Sequence, residues 1–187
     1  MSERSWSEFQ FLLVPGLYDS GPAHWQSRWQ RLYPGFARVL QRAWDRPELA
    51  VWSAQVDRAR RRDKRPVLLV AHSFGCLASV HSIAADPDRV AGALLVAPAD
   101  PDKFGIAAAL PAGPLPCPSV MIASRDDPWM SSPRAAQWAR RWGSALVDAG
   151  ALGHINADSD LGFWPFGLSQ LQALVDLAHN ERQAIMA

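Results

Sequence analysis

The sequence predicts a three-layer α/β fold: a mostly parallel sheet of about six strands with helices on both faces, as one domain over residues 1–187. Three observations predict it. Short apolar runs alternate with longer amphipathic stretches along the chain, and repeated strand–helix alternation implies right-handed crossovers and parallel pairing. The run VLLVA at 67–71 is apolar throughout, as in strands covered on both faces. At 187 residues the chain is long enough to bury about 70% of the surface it would expose unfolded, and no polar linker or repeat divides it.

Taken in order, residues 9–14 (FQFLLV) end at Pro15-Gly16 and read as a strand. Ser20-Gly21-Pro22 supply cap and first-turn signals for a helix carrying Trp25, Trp29 and Leu32 on one face. Residues 36–40 form a weaker strand. Asp45 with Glu48 reads as a capping box for a helix with Leu49, Trp52, Val56 and Ala59 on one side. The strand at 67–71 leads into a helix from Ser73 that stops before Pro87. Residues 90–97 and 120–123 are the next strands. Ser132-Pro133 opens a helix whose Trp138 and Trp142 stop at Gly143, and 145–149 is a short strand. Leu168, Leu171, Leu174 and Val175 mark the final helix. The one long irregular stretch, 98–118, is rich in Pro, Gly and Ala and is expected to be a small lid or a surface excursion.

Composition removes several function classes. Lys plus Arg (19) nearly balance Asp plus Glu (18), for a net charge of +1, which disfavours a nucleic-acid partner. The basic run 58–65 is expected to be a solvated helix end. No apolar run approaches the ~20 residues of a membrane span, and the polar N-terminus carries no signal-peptide core. Two cysteines, Cys76 and Cys117, make neither a disulfide framework nor a metal spacing. With the polar N-terminus they fit a cytoplasmic protein. No zinc, phosphate-loop or dinucleotide motif is present, so no metal or cofactor is expected.

The chemistry concentrates at Ala71-His72-Ser73-Phe74-Gly75, where a buried strand turns directly into a helix. This is the pattern of a nucleophile elbow, with Ala71 at the position usually held by a first glycine. Small residues two before and two after the serine let neighbouring backbone pack close. The turn would aim the Phe74 N–H and the helix N-terminus at a developing oxyanion. Such a serine needs a base and an orienting acid. His154 follows the 145–149 strand in a Gly-rich loop and is the candidate base; His81 and His179 fall within helices. The acid candidates are Asp127, first because of its Asp-Pro-Trp-Met context, then Asp126 and Asp100. Leu17, after the first strand, is the candidate second oxyanion donor. His24 would touch substrate or make a structural bond. Trp129, Phe163 and Trp164 flank the acid and base loops and are candidate cleft residues, whereas Trp25 and Trp29 are expected in the core. Cys76, inside the elbow helix, is expected to be buried packing.

Together PGLYDSGPAHWQSRW, AHSFGC, SRDDPW and GHIN, in this order, resemble the small serine hydrolases of the retinoblastoma-binding-protein type. The resemblance implies a compact α/β-hydrolase fold with minimal or no cap. It implies Ser73, Asp127 and His154 as triad, and hydrolysis of a small-molecule ester, thioester or amide through an acyl-enzyme. Ala71 departs from the commoner glycine. Binding to a retinoblastoma protein does not carry over, because residues 115–119 (LPCPS) lack the glutamate of the Leu-x-Cys-x-Glu peptide. The competing expectation is a binding or scaffold protein that keeps the fold without catalysis.

Overall fold

The computed structural model describes residues 6–186. Six strands form one sheet: β1 (Gln10–Val14), β2 (Phe36–Arg38), β3 (Val67–His72), β4 (Val90–Val96), β5 (Ser119–Ala123) and β6 (Ala145–Asp148). Their spatial order is β2-β1-β3-β4-β5-β6, and every neighbouring pair is parallel. Five helices connect or follow them: α1 (Trp25–Leu32), α2 (Leu49–Arg60), α3 (Phe74–Ala85), α4 (Ser132–Trp142) and α5 (Pro165–Met186). The fold is the open, helix-flanked parallel sheet expected from the sequence.

Side-chain alternation sorts the core into two layers. Leu12, Val14, Leu69, Ala71, Leu95 and Met121 face α2, α3 and α4. Phe11, Leu13, Leu68, Val70, Leu94 and Val96 face α1 and α5. Both alternate sets of β3 are therefore fully covered, which is why 67–71 reads as an uninterrupted apolar run. Trp25 and Trp29 pack into the second layer with Trp164.

Three local expectations are corrected and one alternative is decided. Helix α1 starts after His24, whose side chain caps it, and not at Ser20-Gly21-Pro22. The helix expected from Asp45 starts at Leu49, with Glu48 at its N-cap and no side-chain cap bond; Pro47 disfavours helical backbone at Arg46 and delays the start. The basic run 58–65 is not wholly solvated. Arg60 is buried and donates to Ser82 Oγ (2.9 Å) and to the carbonyls of Asp86 (2.7 Å) and Asp88 (2.6 Å), supplying donors that the end of α3 lacks internally. The stretch 98–118 is a packed excursion. It makes two 3-10 turns, buries Leu110 and Leu115, and is fastened to α4 by Arg134, which grips Asp100 through two nitrogens at 3.0 and 3.1 Å. Among the described residues no helix is long and apolar enough to cross a membrane.

Candidate active site

The turn between β3 and α3 holds Ser73 at φ 53°, ψ −125°, a left-handed value that a non-glycine residue adopts only when its surroundings enforce it. Two glycines permit the crowding. A Cβ on Gly75 would lie 2.4 Å from the carbonyl oxygens of Val14 and Pro15, and one on Gly16 would lie 2.7 Å from Ser73 Cβ. Position 71 tolerates alanine because its Cβ joins the core layer beneath α3. Ser73 occupies the N-cap position without making a side-chain cap bond, so its hydroxyl is free for another partner.

That partner is His154. Its Nε2 lies 2.8 Å from Ser73 Oγ, and its Nδ1 lies 3.0 Å from both oxygens of Asp127. A carboxylate accepts, so Nδ1 carries the proton and Nε2 is left to accept the serine O–H. The Asp127 side chain is 3% exposed, and its Oδ1 also accepts the Trp129 N–H at 2.8 Å. The other two aspartates have separate tasks. Asp126 accepts the Ser124 hydroxyl and the Gly153 N–H, each at 2.8 Å; these bonds, the serine's first, hold its carboxyl below the usual range. Asp100 pairs with Arg134. Burial pushes its carboxyl up, but the Arg134 bonds and the Asp102 N–H outweigh that and keep it low.

Phe74 opens α3, so its N–H has no acceptor within the helix. The Leu17 N–H likewise has no backbone acceptor among the described residues, whereas the neighbouring Tyr18 N–H is taken by the Trp44 carbonyl at 2.9 Å. The loop behind Leu17 passes through left-handed backbone at Tyr18 (φ 64°) and Asp19 (φ 62°). Arg38 braces it, donating to Asp19 Oδ1 (2.6 Å), the Ser20 carbonyl (3.0 Å) and Ser27 Oγ (2.6 Å).

Ser73 and His154 open on a cleft of about 530 Å³ whose lining includes Leu17, Ala99, Phe104 and Trp129 on its apolar parts and His24, His72 and Asn156 on its polar parts. Among the described residues, neither Lys nor Arg belongs to that lining. His24 both borders the cleft and makes a structural bond: its Nδ1 accepts the Gln26 N–H at 3.2 Å and caps α1. Burial, then the Arg38 charge, then His154 push its pKa down to about 3, so the ring is neutral near pH 7. Two expected cleft residues lie elsewhere. Trp164 is buried against Trp25 and Trp29. Phe163 lies beneath the Arg28 guanidinium, and its carbonyl accepts from Trp29. The chain turns at Leu161–Trp164 and sets both residues against α1, outside the cleft lining. Conversely, Phe104, His72 and Asn156 were not singled out from the sequence. Asn156 lies within the GHIN string and His72 within the elbow. Nothing local marks Phe104, whose place depends on how 98–118 folds back.

The profile of the family described as Serine hydrolase matches residues 11–173. Among solved structures, the chain is similar to a YdeN-like hydrolase candidate from Pectobacterium atrosepticum, at 40% identity and a TM-score of 0.91, over 94% of this chain and 95% of that one. It is similar in fold to the ydeN gene product of B. subtilis (19% identity, TM-score 0.70, 89% and 98% covered). It is also similar in fold to the mouse alpha/beta hydrolase domain-containing protein 10 (16%, 0.66, 89% and 89%). A search of the curated proteins returns no match.

Proposed function

From its membership of the serine hydrolase family, we propose that this chain hydrolyses a small, uncharged ester, thioester or amide through an acyl-enzyme on Ser73. The observation that carries the reading is the unbroken hydrogen-bonded line Asp127–His154–Ser73, at 3.0 and 2.8 Å, at the floor of a cleft. His154 Nε2 takes the Ser73 proton as Oγ attacks the substrate carbonyl. Asp127 holds the imidazole by Nδ1 and stabilises its charge. The N–H groups of Leu17 and Phe74 receive the negative oxygen, where fixed donors need no reorganisation as charge develops. The imidazolium then protonates the leaving group. A water gives a proton to His154 as it attacks the acyl carbonyl, and Ser73 recovers its proton when the acid departs. An acyl group occupying the cleft meets Leu17, Ala99, Phe104 and Trp129. The one charged side chain in the described lining is the carboxylate of Asp19, and Lys103 lies over the Trp129 ring, 5.5 Å from its centroid, so the lining itself favours neutral over anionic acyl groups.

The test combines a fluorophosphonate probe with short- and long-chain p-nitrophenyl esters and aminoacyl amides. The wild-type protein is expected to take the label and to hydrolyse at least one substrate. Ser73→Ala is expected to take no label and to lose about 10⁴-fold or more in kcat. Folded wild-type protein that neither labels nor hydrolyses any of them would overturn the reading.

A further inference from the structure

His72, immediately before the nucleophile, ends β3 and is buried. Side-chain alternation puts it with Leu68 and Val70, on the α1 side of the sheet. There its ring meets His24 (4.7 Å between centroids) and His154 (4.9 Å). Its Nε2 lies 2.9 Å from the main-chain oxygen of His154. A carbonyl oxygen can only accept, so this nitrogen bears the ring's proton. The ring is neutral: burial, then His24 and His154, push its pKa well below the ordinary value.

The loop that carries His154 needs such support. Gly153 and Ile155 on either side of it have φ 56° and 47°, and for the β-branched Ile155 a left-handed φ is an outlier. Side chains hold the loop from both sides, and Ser159 Oγ braces it from within by donating to the Leu152 carbonyl (2.6 Å). On one side, Ser124 Oγ accepts the Leu152 N–H (2.9 Å) and Asp126 Oδ1 accepts the Gly153 N–H (2.8 Å). On the other, His72 Nε2 donates to the His154 carbonyl, and Trp25 Nε1 donates to the next carbonyl, that of Ile155, at 2.9 Å. An apolar residue at position 72 would fill the same space and leave the His154 carbonyl without its donor.

We propose that His72 is a positioning residue for the base. Its Nε2–H bond to the His154 carbonyl ties the base loop to the end of the strand that carries the nucleophile, so one strand end sets both partners of the proton transfer. The inference rests on the triad reading above and goes beyond it, because the triad requires only the His154 ring and not the means by which its backbone is held. His72 acts through His154 and does not itself exchange a proton.

The test compares His72→Leu, which fills the site without a donor, with His72→Gln, whose side-chain amide can place an N–H near the original Nε2. Each is assayed on the best p-nitrophenyl ester and for its rate of fluorophosphonate inactivation. For folded His72→Leu, kcat and the inactivation rate are expected to fall together by about 10- to 100-fold, because small misplacements of a catalytic group are costly. KM should stay within about threefold, as for an interaction that matters in the transition state. His72→Gln should recover most of both rates. If leucine is not accommodated, His72→Asn, with an amide too short to reach the carbonyl, replaces it. The proposal is overturned if the donor-less variant keeps kcat within about threefold of wild type, or if His72→Gln is as impaired as that variant. An active wild type with inert Ser73→Ala and unimpaired His72→Leu sinks this inference alone. A wild type that is inert throughout sinks the triad reading and this inference with it.

Discussion

His24 illustrates how one buried side chain imprints a pH dependence on the whole protein. Its proton affinity is lowered from an ordinary 6.5 to about 3, by burial first and then by Arg38 and His154. Above pH 6.5 folded and unfolded chains both hold the ring neutral, and it contributes no pH dependence. As pH falls toward 3, the unfolded chain gains a proton that the folded chain excludes, so stability declines across that window. His72 acts in the same direction. For His24 alone the loss is on the order of 3 kcal/mol by about pH 4 and approaches about 5 kcal/mol once both states are protonated. Melting temperature followed by circular dichroism should fall steadily from about pH 7 to about pH 4. The fall should be shallower in His24→Asn, whose side chain still offers an acceptor to the Gln26 N–H. Equal slopes for the two proteins would remove His24 as the cause.

At the scale of elements, the elbow depends on how closely β3, α3 and the loop after β1 approach. The same small-residue pattern has two different tolerances. Gly75 has backbone oxygens where a Cβ would go, at 2.4 Å, whereas the Ala71 Cβ already belongs to the core. Gly75→Ala should therefore cost about 2–3 kcal/mol in chemical denaturation, in the range of overpacked sites. Ala71→Gly, restoring the commoner residue, should cost no more than about 1 kcal/mol. The reverse ranking would mean that the contact at Gly75 relaxes easily. Apart from the late starts of α1 after His24 and of α2 after Pro47, and the short 3-10 turns within 98–118, the order of strands and helices was legible in the chain, because helical and strand periodicities are local properties. Ser73 was legible for a related reason: its strand, its turn and its helix are contiguous. His154 and Asp127 were legible as loop residues after strands, and their separation from Asp100 and Asp126 required coordinates.

The molecule as a whole makes the site at one sheet edge. Strand order reverses at β1–β3, and in open parallel sheets ligands bind outside the carboxyl ends of strands at such a switch point. Leu17 follows β1, Ser73 follows β3, Ala99 and Phe104 follow β4, Asp127 follows β5 and His154 follows β6. Five connections thus converge on one cleft. Because its described lining includes Asp19 and neither Lys nor Arg, the wild-type enzyme should favour a p-nitrophenyl butyrate over the corresponding succinate monoester by about 10-fold or more in kcat/KM. Comparable rates would show that an anionic acyl group finds compensation there. The amino-acid sequence by itself determined the alternation of strands and helices, the buried character of β3 and the order of a hydroxyl, an acid and an imidazole along the chain, since each is written in neighbouring residues. Only the tertiary structure decided the strand order, which aspartate meets His154, and why Trp129 borders the cleft while Phe163 and Trp164 turn toward α1. Those outcomes depend on contacts between residues far apart in the chain, where one apolar run or aromatic ring is locally indistinguishable from another.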